Sequence, residues 1–292
     1  MRIAIYHNSA TGHTLYQAQR IKAEIQKQQP QWQVDVIWVH PILNKLKNGQ
    51  KYEQPEYDAF ILGSWVNFFT IDINMERFVN LLDLSGKPVA SFTTHGGANG
   101  VSGLQLQRLV NKKHGLFAGH MTCRFVSNNF HKPKNGKAMT ISPEVQAQVP
   151  RFVEAFAKCI EAHKRAKGMN VLVWLLVALF VWLMRKLSQK LAKLMSGKAM
   201  KVETTKCVGC MKCVNECPNA VFAAENGKVK AVHTADCTLC LGCVHRCPAG
   251  AITSIEGKLD NFQPYKFQEY YINEQKGWVE IEKLEQDFKK KQ

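Results

Sequence analysis

Apolar and polar positions along the first 167 residues follow two periods in turn. Short apolar runs near residues 2–7, 33–39, 59–63, 88–93 and 120–126 have the length and side-chain content of strands. Between them, apolar residues recur at helical spacing from Thr14 to Gln29, Asn74 to Leu82, Ser102 to His114 and Pro143 to Lys167. Strands alternating with helices need crossovers, which are right-handed. The pattern therefore predicts an α/β doubly wound parallel sheet of order 2-1-3-4-5 over residues 1–167. Ligands of such sheets bind beyond the carboxyl ends of the strands.

A different pattern follows. From Met169 to Met184 the chain carries no charge. A helix of that length covers about 24 Å, short of the roughly 30 Å hydrocarbon core of a bilayer. A single crossing would also place the two flanking halves in different compartments. Lys158, Lys164, Arg165 and Lys167 precede the run, and Arg185, Lys186, Lys190, Lys193 and Lys198 follow it, so both ends read as cytoplasmic. Trp174 and Trp182 suit a helix lying among headgroups, with lysines on anionic lipid. The expectation for residues 168–197 is a linker helix that anchors the chain to the inner face of the cell membrane. A helix buried between the halves or in a dimer is the alternative, and a true span suits the pattern least. Leu187, Leu191, Leu194 and Met195 extend it as an amphipathic arm.

Cysteine spacing changes the picture more than any other feature. Cys207, Cys210, Cys213 and Cys217-Pro218 repeat, 30 residues on, as Cys237, Cys240, Cys243 and Cys247-Pro248. Three cysteines at a step of three wrap one 4Fe-4S cube, and the fourth, before proline, crosses to the other cube. The expected ligand sets are Cys207, Cys210, Cys213 and Cys247 for one cluster, and Cys237, Cys240, Cys243 and Cys217 for the second. Gly209 and Gly242 fall where backbone amides approach inorganic sulfide. Zinc has no use for a third cysteine at the same step. Disulfides are disfavoured because the chain opens on a hydrophobic strand with no cleavable signal, which points to the reducing cytoplasm. Cys123 and Cys159, outside the motifs, read as small apolar packing residues. This segment resembles bacterial two-cluster ferredoxins over residues 198–257.

At the other end, the first strand feeds Ser9-Ala10-Thr11-Gly12-His13-Thr14 and then a helix. Hydroxyls of Ser9, Thr11 and Thr14, with amides at the helix N-terminus, can surround a phosphate monoester without a basic side chain. No Gly-Lys-Ser/Thr follows and no dinucleotide glycine triplet is present, which argues against a nucleotide P-loop and against direct NAD(P)H oxidation. The arrangement looks like the FMN-phosphate loop of flavodoxins; the alternative is a helix cap that binds nothing. In flavodoxin-like proteins two further loops hold the flavin ring, here those after strands three and four. The resemblance makes Trp65 the candidate stacking face and His95, Gly96 and Gly97 candidate contacts to the ring. Core packing for Trp65 and an ordinary turn for the glycines remain alternative readings. His7, His13 and His95 near the same face are candidates to deliver the proton that accompanies flavin reduction.

The formal charge of +16 overstates the loaded protein, since each oxidised cluster with its thiolates and the FMN phosphate carry about −2 apiece. No nucleic-acid-binding pattern accompanies the charge, so it reads as attraction to a membrane surface or an acidic redox partner. The aromatic and basic tail, 258–292, is unreadable in role. In order, the parts resemble the bacterial flavodoxin-ferredoxin fusion family known as EFR-type ferredoxins. The resemblance implies electron transfer between FMN and two 4Fe-4S clusters; the apolar run and its basic flanks point to the cytoplasmic face of the inner membrane. A flavin-dependent reductase of a quinone or other small acceptor, and a redox or iron-sulfur sensor, are the competing functions.

Overall fold

The computed structural model describes residues 1–67, 69–125, 143–164 and 200–254, with single positions between 175 and 190. Its first half is a parallel sheet of β1 (Arg2–His7), β2 (Gln33–Trp38), β3 (Ala59–Asn67), β5 (Pro88–His95) and β6 (Leu116–Arg124), in the order β2-β1-β3-β5-β6. The sixth strand, β4 (Thr70–Ile71), hairpins back onto β3 through Val66↔Ile71. With β4 set aside, this is the expected 2-1-3-4-5 order. Registers such as Ile5↔Val36 and Ile5↔Ile61 place β1 between β2 and β3.

Strand periodicity decides the two cores. Ile3, Ile5, Ile61, Ala90 and Phe92 face one side, under α1 (His13–Gln28) and α5 (Pro143–Ala162). Ala4, Tyr6, Phe60, Leu62 and Val89 face the other, under α2 (Val39–Lys47), α3 (Ile73–Leu81) and α4 (Ser102–Lys112). Burial on both faces is what a parallel sheet requires. Gly63 has its own reason: a Cβ there would run into the Phe92 ring.

Several boundaries differ from the sequence reading. The helix α2 was not expected, because Pro41 reads as a breaker; it falls in the first turn, where its missing N–H costs nothing. Strand β3 runs on to Asn67, and β5 to His95, so Trp65 and His95 stand on strand ends rather than in loops. Strand β6 starts at Leu116, before residue 120, and α5 closes at Ala162, short of Lys167.

The second half is small. Strand β7 (Lys201–Val202) pairs antiparallel with β10 (Ile252–Thr253), joining its two ends. A hairpin of β8 (Phe222–Glu225) and β9 (Lys228–Ala231) and two five-residue helices, α6 (Lys212–Glu216) and α7 (Gly242–Arg246), complete it.

Between the halves, Leu175, Leu176, Leu179, Phe180, Trp182, Leu183 and Leu187 are helical and exposed. At these positions the helix is not packed between the halves. Among the described residues no helix is long and apolar enough to cross a membrane. Trp174, Phe68 and the tail 258–292 lie outside the described residues.

Candidate functional site

The structure brings Ser9 to Thr14 to the carboxyl end of β1, where the chain turns through left-handed Gly12 (φ 114°) into α1. Gly12 N–H donates to Ser9 Oγ at 3.0 Å, Thr11 Oγ1 meets His13 Nδ1 at 3.1 Å, and Thr14 Oγ1 is pinned to Thr94 Oγ1 at 2.9 Å. No side chain caps the first turn of α1, so the positive end of a 16-residue helix points at the loop's own concavity. Gln17, one turn further along, is fully buried, and neither of its amide atoms has a partner among the described residues. Sequence reading missed it, because a lone glutamine in an amphipathic helix carries no signal.

The two ring-loop candidates flank this turn. Trp65 N–H donates to Asn8 Oδ1 at 3.3 Å, and Trp65 Nε1 is a buried donor without a partner among the described residues. The segments are tied together where Val101 N–H donates to Phe69 O at 2.9 Å. Gly100 must be glycine there: its φ is +60° and a Cβ would strike the Phe69 backbone. Asn99 Oδ1 accepts from Thr93 and Ser102 hydroxyls, both at 2.6 Å, and His120 backs Thr93 at 3.1 Å. Gly96 is half-buried and Gly97 exposed, and nothing lies within 4 Å of a Cβ built on Gly97. The phosphate-loop end of the site is therefore enclosed and its Gly97 end open.

Burial sets the histidines. It pushes His7 down to about 3, and His13 likewise to about 3 with help from nearby His245. His95 is lowered by burial, against the Gly97 backbone that raises it. Burial thus favours the neutral imidazole at both His7 and His13.

In the second half, the 30-residue repeat is a structural repeat. Met211 and Leu241 take matching left-handed turns (φ 57° and 58°) into α6 and α7. Cys217 and Cys247 close those helices in the same extended conformation, and their sulfurs accept from Val221 N–H and Ala251 N–H at 3.5 and 3.3 Å. One cavity is lined by Cys207, Cys210, Cys213 and Cys247, with Val229 and Ile252 as apolar walls. A larger one is lined by Cys217, Cys237, Cys240 and Cys243 together with Cys210, Cys213 and Cys247. The first cavity thus brings Cys247 of the second motif to three cysteines of the first. All ten are unpaired as disulfides, and among the described residues no three His, Cys, Asp or Glu converge on a single metal ion.

The thiols sit in contrasting surroundings. Gly209 and Val229 amides hold the Cys207 thiol below its usual range. Burial and neighbouring cysteines push Cys213 up to about 11 and Cys240 up to about 12. Dry thiols of this kind ionise only against strong positive charge, which metal supplies. Gly209 proves necessary for its own φ of +67° and for closeness to Gly227 O. At Gly242 a Cβ would stand 3.0 Å from Ala10 O in the other half. Cys123 is fully buried in the first core, and Cys159 is buried on α5 with its thiol donating to Leu116 O at 3.7 Å.

Residues 206–252 match the 4Fe-4S dicluster domain family. That match assigns two 4Fe-4S clusters to the second half. The first half is similar in fold to flavodoxins of known structure: one from the domain Archaea (18% identity, 55% of this chain and 99% of that one, TM-score 0.38), flavodoxin 2 of Bacillus cereus (19%, 54% and 99%, 0.40) and that of Megasphaera elsdenii (20%, 53% and 98%, 0.38). No curated protein matches the sequence. The chain joins a half built on a doubly wound parallel sheet to a half that matches the dicluster domain.

The dicluster half docks on the ligand-binding edge of the sheet. Asn44 of α2 donates to Val214 O at 3.0 Å and Cys217 O at 2.8 Å. Asn67, just past Trp65, donates to Thr238 O at 3.3 Å, and Asn74 to Thr238 Oγ1 at 3.3 Å. Arg77 reaches Asn219 Oδ1 at 2.7 Å. The Arg246 guanidinium lies 4.6 Å from the Trp38 ring centroid and pairs with Glu216 at 3.0 Å. Behind this row sits Asp72, fully buried, accepting from Asn8 Nδ2 and Asn74 N–H. Burial pushes its carboxyl up to about 6 against those bonds and Arg77. These polar contacts were invisible in sequence, since single asparagines have no period.

Proposed function

We propose that this chain is an FMN and iron-sulfur electron carrier in which three redox centres, one flavin and two clusters, are wired inside one polypeptide. Ser9, Ala10, Thr11, Gly12, His13 and Thr14 hold the phosphate, and Trp65, His95, Gly96 and Gly97 border the ring. The first cluster is held by Cys207, Cys210, Cys213 and Cys247, and the second by Cys217, Cys237, Cys240 and Cys243. The observation that carries the reading is the docking of the Cys237–Cys240 loop, through Thr238, on Asn67 and Asn74 beside Trp65. The uncapped end of α1 and the unpaired polar atoms of Gln17 and Trp65 support a polar, phosphorylated ligand there. Bound flavin converts two-electron to one-electron chemistry, and clusters carry one electron each.

This chain's residues supply position. Asn8 holds Trp65 and Asp72 together, Thr94 fixes the phosphate loop, and Asn99 and His120 stiffen the second ring segment. Tethering makes exchange between the halves intramolecular. Iron, sulfide and flavin per anaerobically purified chain test the reading: about eight irons and one FMN are expected. Eight irons without flavin would make the first half a docking module. Cys247→Ser should lose the first cluster and keep the flavin; retention of both clusters would refute the crossed ligand sets.

The exposed apolar helix, with Lys186 and Lys190 also exposed, supports attachment to the inner face of the cell membrane, and with it access to a quinone. Flotation with anionic vesicles should carry the protein upward, and Leu179→Asp with Leu183→Asp should abolish it. Flotation by the double variant equal to the parent would remove the anchor from the proposal.

A further inference from the structure

The phosphate loop ends a strand at the open edge of a doubly wound sheet, where a ligand normally enters from solvent. In this chain it is not open. Ala10 is 3% exposed, Thr14 2% and His13 5%. Thr14 is bonded to Thr94 and His13 packs on Phe125 within the first half, while over Ala10 and His13 lies α7 of the dicluster half. Gly242 lies so close to Ala10 O that a Cβ would stand 3.0 Å from it, and buried His245 is near enough to His13 to disfavour its charge. On the other side of the turn, Asn67 and Asn74 hold the Thr238 loop down.

We infer that the dicluster half is the outer wall of the phosphate site, so that a flavin is enclosed by both halves at its phosphate end and leaves only when they part. The inference rests on the flavin reading for its ligand but not for its geometry. Gly242 and His245 are positioning residues here. They shut the loop against exchange with solvent while the Gly97 end stays open for the ring. The same closure couples the two loading reactions: flavin must enter before the dicluster half settles, or during its release.

Two measurements on the full, cluster-loaded chain test this. Hydrogen exchange of the Ala10 to Thr14 amides, without flavin, should be as slow as in the body of α1; exchange at the rate of an open loop would overturn the wall. Release of FMN, followed by its fluorescence on dilution, should quicken by at least about tenfold in Asn44→Ala with Arg77→Ala. That variant removes interface bonds remote from the loop, and its iron content reports that the dicluster half is still folded. Equal release from parent and variant would overturn the inference. A parent that binds no FMN yet protects the amides would sink the flavin reading and keep the wall.

Discussion

The two halves are held together by different physics. The flavodoxin-like half buries two apolar layers, one on each face of a five-strand parallel sheet, with Tyr6, Phe60, Phe78, Phe92 and Phe156 fully enclosed. The dicluster half has one small core of Val221, Phe222, Val229, Leu241, Val244 and Ile252, and cysteines make up much of what packs against it. Small domains bury too little surface to be stable alone and need staples. The first half is therefore a fold that receives a cofactor, while the second is a fold made by its cofactors.

The largest expected effect follows at once. Chelating the iron, or Cys240→Ser, should remove exchange protection throughout residues 200–254 while strands of the first half stay protected, since metal binding free energy is folding free energy in such domains. A second half that remains protected without iron would break the comparison.

Acid should act next, at the junction. His7 and His13 have folded values near 3, below the ordinary 6.5. Their neutral burial contributes stability that is whole above pH 6.5 and is lost as pH falls toward 3. Each is worth on the order of 4 kcal/mol. Asp72, raised from 3.8 to about 6, works in the opposite sense, favouring the native state as pH falls through that window, but by less, about 3 kcal/mol. Histidine wins, so the first half should melt at steadily lower temperature from pH 6.5 to 4. His7→Asn, which keeps an acceptor for Ser9 N–H, should flatten that slope.

Asp72→Asn sharpens the point at neutral pH. The amide cannot ionise and its oxygen can still accept from Asn8 and Asn74. It should raise stability by about 2 kcal/mol at pH 7.5, after some loss of charge-assisted bonding, and by little at pH 4. Denaturant midpoints at the two pH values decide it. Smallest, Gly63→Ala should cost the first half about 1–3 kcal/mol by overlap with Phe92 and leave iron content unchanged.

What sequence revealed follows the same division. Strand order, the helices α1, α3, α4 and α5 and the structural repeat of the two cysteine motifs were legible because each is periodic: the period of two, of 3.6, and the repeat of thirty. Helix α2 was hidden by Pro41, and the strand extensions by pairings that only the fold reveals, β3 past Trp65 with β4 and β5 to His95 with β6. The junction was illegible because it is built from isolated polar residues, Asn44, Asn67, Asn74 and Thr238, whose meaning comes from what faces them.

The swapped fourth cysteines have a consequence for biosynthesis. The cavity begun by Cys207 is finished only by Cys247, so it has no complete wall until nearly the whole second motif has left the ribosome. By then every strand of the sheet has already been made, and domains fold in that order. Nascent chains therefore pass through a stage with a finished scaffold and naked thiols, and iron delivery belongs after translation, to a machinery that must find both motifs together.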